Sequence, residues 1–144
     1  MVNSVEFAAY LHKRATDEGY QPNVTQIQKW LYICYGHHLV INKKPLFDEK
    51  PRAWPYGPVF LNVYNAQKSD AGLPNANDSM FLELEEIVSA TLENHGKWSA
   101  TKLVDWTHEK NGAWDKQWHK EKLAFMTDGD IRADFERLFD YEQN

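Results

Sequence analysis

Six histidines, one cysteine and a scatter of acids are the side chains of this 144-residue chain whose chemistry could go beyond packing. Cys34 and His38 stand four residues apart in a stretch read as helix. They share a face there and could form half of a zinc site. His95, His108 or His119 would have to complete it. No His-Glu-x-x-His and no paired Cys-x-x-Cys accompanies them. A cysteine among apolar neighbours is also among the most readily buried residues, and packs there. His37 and His38 are adjacent, so on a helix they point about 100° apart and cannot ligate from one face. We expect one of them to face the core with its ring nitrogen on a backbone carbonyl. His108-Glu109 has the order of a base and its orienting carboxylate, yet a histidine near a helix C-terminus also serves the helix dipole. No Gly-x-Ser-x-Gly elbow is present, and an apolar setting would raise the thiol pKa of Cys34 and leave it inert. The seven glycines are scattered singly, with neither phosphate-loop nor dinucleotide spacing. The expectation is no catalytic residue, no cofactor and no metal. A metal-dependent hydrolase of unfamiliar design is the enzymatic alternative.

Composition narrows the class. Hydrophobic residues are 42% and charged residues 26%, which suits a globular domain and neither a disordered nor a membrane-spanning chain. The opening residues lack the basic-then-apolar pattern of a signal peptide, and one cysteine cannot build a disulfide framework. A cytoplasmic protein is expected, as one domain over 1–144. Aromatics reach 14%, with six Trp and seven Tyr. Such rings fill cores and also anchor protein interfaces. The net charge of −5 is uneven: residues 73–96 hold five acids and no Lys or Arg, and 128–144 hold six acids against Arg132 and Arg137. Two acidic stretches disfavour binding to a phosphate backbone, so nucleic acid is not an expected partner. They suit an encounter with a basic protein, or form solvated helix faces.

The elements that must position these residues read as mainly α. Ser4 caps a helix to Glu18 that stops at Gly19. Thr25 and Gln28 have capping-box spacing before a helix from Ile27 to Ile41. That helix is apolar nearly all round, and so should be central. Leu46-Phe47 and Arg52-Ala53-Trp54 read as a small two-stranded ribbon near residues 46–55, or as an ordered loop. Gly57 and Pro58 then read as the launch of a helix carrying Val59, Val63 and Ala66. A polar loop over 69–79 precedes a helix from Met80 to Asn94 capped by Asp78 or Ser79. A shorter helix, capped at Ser99 or Thr101, ends near His108. Trp114 to Trp118 resists assignment, and Thr127 or Asp128 caps a last helix with Ile131, Phe135, Leu138 and Phe139 on one side. The sum is a single compact body of about six helices.

Three segments, taken in order, carry a family resemblance. They are Ile27-Gln28-Lys29-Trp30-Leu31-Tyr32 with Gly36-His37-His38-Leu39; Pro45-Leu46-Phe47 with Ala53-Trp54-Pro55-Tyr56-Gly57-Pro58-Val59; and Trp98-Ser99, Leu103, Thr107-His108 and Trp114. The set resembles the Panacea domain, the family of SocA-like antitoxins and phage-associated proteins, from about residue 5 to 140. Trp30 stands where the family often has Leu, and Gly112-Ala113-Trp114 lacks the proline the family commonly places before the tryptophan. The resemblance implies a protein without enzymatic activity that neutralises a cognate toxin by binding it, in a toxin–antitoxin or prophage setting. It marks Leu31, Tyr32, Trp54, Tyr56, Gly57, Pro58, Thr107, His108 and Trp114 as signature positions. Their types also have fold-maintaining roles: turn chemistry at Gly57-Pro58, a shared core for Trp54, Tyr56 and Trp114, and a hydrogen bond from Thr107 back into its helix.

Partner contacts are then expected in the variable parts: the 69–79 loop, the segment 128–144, and the exposed side of Trp114–Trp118. Trp114, Trp118, Asp128 and Asp134 are the residues proposed to carry them. The partner the resemblance implies is a toxin protein, and no membrane is expected. A proteolytic adaptor, which hands its bound partner to a protease or chaperone, is the alternative in the binding class.

Overall fold

The computed structural model describes residues 1–141. Among them are seven α-helices and one small antiparallel ribbon, so the chain is mainly α. Helix α1 spans Ser4–Asp17, α2 Val24–Asn42, α3 Leu61–Lys68, α4 Glu85–His95, α5 Ala100–Thr107, α6 Ala113–Lys120 and α7 Asp128–Leu138. Strands β1 and β2 are Arg52–Trp54 and Gly57–Val59. Residues 142–144 of the segment named above lie outside the described part.

Helix α2 is the axis of the fold. Its sequence is apolar on several sides, and every residue from Ile27 to Leu39 is buried. It touches α1, α3, α4, α5, α7 and β2. Its start lies earlier than the Thr25–Gln28 spacing suggests. Asn23 accepts from the Gln26 backbone N–H at 2.8 Å, and the Gln26 side chain accepts from Asn23 N–H at 3.0 Å. Asparagine outranks threonine as a cap, and Pro22 just before it cannot continue a helix backwards. Helix α1 likewise begins one residue early on Asn3, which takes Glu6 N–H at 2.9 Å.

Aromatic packing fills the space around α2. Phe7, Phe47 and Phe60 are fully buried with Tyr35, in tilted and edge-on pairs with centroids 5.1–5.9 Å apart. On the other flank α7 lies directly on α2. A Cβ added at Gly36 would strike the Phe135 ring, so only glycine admits this approach. Of the face expected for the last helix, Ile131 and Phe135 are buried, whereas Leu138 is exposed and Phe139 follows the helix as its C-cap.

Four elements differ from the sequence reading. The ribbon lies over residues 52–59: β1 pairs with β2 in the register Arg52↔Val59, Ala53↔Pro58, Trp54↔Gly57. Leu46-Phe47 instead bridges Val2, through Val2 N–H on Leu46 O at 2.8 Å. Gly57 and Pro58 are therefore strand residues and launch no helix. Gly57 has φ +105°, which lets Pro55-Tyr56 turn the chain straight back on itself. Phe60, with extended φ and ψ, then begins α3 without a side-chain cap. The helix expected from Met80 opens instead as a 3-10 turn over Leu82–Leu84 and becomes α only at Glu85. The Trp114–Trp118 stretch is α6, which brings the helices to seven among the described residues.

Candidate functional site

The signature residues converge on the ribbon and what lies beneath it. Lys29, on the first turns of α2, reaches up to β2, and Gln28 beside it reaches Phe60 just past that strand. Phe60 N–H donates to Gln28 Oε1 at 2.8 Å and Gln28 Nε2 donates to Phe60 O at 3.2 Å, so one side-chain amide copies a strand's hydrogen-bond pair. Lys29 is buried, and its ammonium donates to Pro58 O at 3.0 Å. Burial alone pulls its pKa down to about 7. Leu31 and Tyr32 are buried in the core beside them.

Gly57 sits tightly against α5. A Cβ there would lie 2.5 Å from Thr107 Oγ1 and 3.0 Å from Lys29 Cε. The Thr107 hydroxyl donates to Val104 O at 2.8 Å, the back-bond within the helix that its type suggests. His108 closes α5, and its ring stacks on Trp114 with centroids 3.8 Å apart. Trp114 in turn stacks on Trp118 at 5.3 Å. The Trp114 indole N–H donates to Trp54 O at 2.8 Å, so the column is pinned to β1. Burial, then the charge of Lys29, hold the His108 pKa below its ordinary value, and its Nε2 is enclosed without a partner among the described residues. Tyr56 does not share a core with Trp54 and Trp114 as expected: it lies at the ribbon's tip and is 74% exposed.

The residues proposed for partner contact fall differently. Trp114 is buried and Trp118 half-buried at the outer end of the column. Asp128 accepts from the Tyr35 hydroxyl at 2.6 Å and from the Lys50 ammonium at 2.6 Å. Asp134 accepts from Ala113 N–H at 2.7 Å and so holds the start of α6. Ala113 occupies the place where the family commonly has a proline, and a proline would have no N–H for Asp134. Burial lifts the Asp134 pKa above its ordinary value, against that hydrogen bond and the pull of Arg137.

The residues with metal or acid–base potential stay apart. Cys34 is buried on Thr91 Oγ1 at 3.4 Å, with its thiol pushed up to about 12 by burial. His38 Nδ1 donates to Lys44 O at 2.8 Å, and His37 Nδ1 meets the Tyr141 hydroxyl at 2.8 Å. Burial, with His95 nearby, takes the His37 pKa down to about 4. Among the described residues no three His, Cys, Asp or Glu side chains group closely enough to hold an ion.

Sequence reasoning missed Lys29 and Arg52. A lysine inside an all-apolar helix was the available signal for the first. The exposure of Leu123 and Phe125 beside Arg52 had none, because a tertiary contact creates it.

The comparisons match this arrangement. The family model described as "Antitoxin SocA-like, Panacea domain" matches residues 27–115, from the start of α2 to the first turn of α6. The protein named "Antitoxin SocA" from Caulobacter vibrioides (strain NA1000 / CB15N) is 27% identical over 105 residues, which are 62% of this chain and 56% of that protein. The chain thus spans little more than half the length of that relative. No solved structure matches. No helix among the described residues is long and apolar enough to cross a membrane. With the matched span enclosing the α2 axis, the ribbon, α5 and Trp114, the chain belongs to the SocA-like antitoxin family that carries the Panacea domain.

Proposed function

We propose that this protein is an antitoxin that neutralises a cognate toxin by direct binding, as one domain acting in the cytoplasm within a toxin–antitoxin or prophage setting. The observation that carries the reading is the use to which the family's signature is put. Gly57, Pro58, Thr107, His108 and Trp114 are engaged with one another, with Lys29 and with backbone, holding the ribbon on α2, α5 and α6. A signature of this kind maintains a shape, and shape is what a binding protein presents. The name of the Caulobacter relative supports the same class. Trp118, Asp128 and Asp134 remain proposed contact residues at the edge of that shape.

The test is co-expression with the product of the adjacent reading frame. That product should arrest growth alone, and this chain should restore growth and co-purify with it in fixed stoichiometry. Arrest that persists, with no complex formed, would overturn the reading.

A further inference from the structure

The segment 123–126 runs along β1: Ala53 N–H donates to Ala124 O, and Leu123 N–H to Ala53 O, both at 2.9 Å. Arg52 and Phe125 form an antiparallel bridge. In such a bridge the Phe125 N–H and C=O point away from β1, and neither has a backbone partner among the described residues. Leu123 is 53% exposed and Phe125 50% exposed. Leu123 has φ +68°, a left-handed conformation that costs a branched, bulky residue energy and recurs at ligand clamps.

Two open grooves of about 430 Å³ each lie here, and Arg52 and Leu61 line both; Asp48, Glu49 and Lys50 also line the first, which makes the second the apolar one. In the second, Trp54, Pro55 and Leu123 complete the lining, and Arg52 is its one charged residue. The Arg52 guanidinium lies 4.1 Å from the Phe125 ring centroid and reaches Leu123 O at 3.5 Å. It forms no ion pair with a carboxylate among the described residues, whereas Lys50 beside it is paired to Asp128. An arginine stacked on an aromatic ring, with guanidinium donors to spare beside an apolar groove, is the combination that concentrates binding energy at protein interfaces.

We propose that this surface receives an extended segment of a partner protein that places an aliphatic side chain in the Trp54–Leu123 groove and an Asp or Glu carboxylate on Arg52. The charge complementarity decides the occupant: a cation with no carboxylate partner among the described residues, beside an apolar groove and an open strand edge, calls for an acid beside an aliphatic residue in an extended backbone. The proposal rests on the antitoxin reading for the identity of the partner as a toxin, and on the surface alone for its chemistry.

The probe is a displayed library of random octapeptides selected on the full chain. Peptides with an acid one or two residues from Leu, Ile or Val should be enriched. Arg52→Glu should weaken the chosen peptide at least about tenfold by fluorescence anisotropy, the scale of one lost charge pair. Replacing the peptide's acid with Lys should restore binding to Arg52→Glu. Leu123→Gly suits the left-handed backbone and so keeps the fold while emptying the groove wall. It should weaken the peptide too, and Glu93→Lys on α4 should not. No enriched acid-plus-aliphatic pattern, or one indifferent to Arg52, would overturn the surface. A chain that selects such peptides yet rescues no growth would leave the surface standing and remove the antitoxin reading. A chain that rescues growth equally well as Arg52→Glu, and selects no Arg52-dependent peptide, would remove the surface alone.

Discussion

Gly57 shows how much one residue can be asked to do. Its φ of +105° disfavours any side chain, and a Cβ would lie 2.5 Å from Thr107 Oγ1. Gly57→Ala should therefore lower stability by more than about 1 kcal/mol in urea unfolding, with Thr107→Ala in the same chain recovering only the steric part. The residue type made a turn legible from the sequence. The kind of turn was not, because the contact with Thr107 comes from a helix fifty residues away. Lys29 makes a second prediction. Its folded pKa of about 7 lies below its ordinary 10.5, so between those values the unfolded chain binds more protons. Stability should rise with pH across that window and lose this contribution as pH falls through it. The difference between wild type and Lys29→Met isolates the effect. Urea midpoints measured from pH 6 to 10 should show a steeper rise for wild type, and parallel curves would refute the buried amine.

At the scale of elements, helices were readable wherever an apolar stripe met a good cap, as with α1, α2, α5 and α7. Ser99 and Thr127 cap α5 and α7 as expected, accepting from Lys102 and Asp130 N–H. The ribbon was harder, since strands of three residues carry little periodicity. Its register depends on Gln28, Trp114 and the segment 123–126, all distant in sequence. The seam between α2 and α7 offers a direct test. Gly36→Val would drive branched carbons into the Phe135 ring and should cost roughly 1–3 kcal/mol, read as a lower thermal midpoint. Asp134→Ala should release Ala113 N–H, fray α6 and cost about 1 kcal/mol. Trp fluorescence would report it through the Trp114–Trp118 stack.

For the whole molecule, the expectation is stoichiometric binding: rescue of growth should scale with the amount of this chain and saturate near one equivalent of toxin, in contrast to catalytic removal. Titrated co-expression measures it. The mainly helical class could be read from the amino acids, since apolar spacing, capping residues and an all-round apolar α2 point to helices gathered around one axis. The family could be read there too, because the ordered AWPYGPV, TH and W segments are local strings. The tertiary structure alone decided what each polar side chain does. Asp128 and Asp134 look like free acids in the sequence but bind Tyr35, Lys50 and Ala113, while Arg52 has no carboxylate partner among the described residues. The physical reason is that charge and hydrogen-bond partners are chosen by neighbours in space, and the chain brings those neighbours together only when α2 has gathered the helices around it.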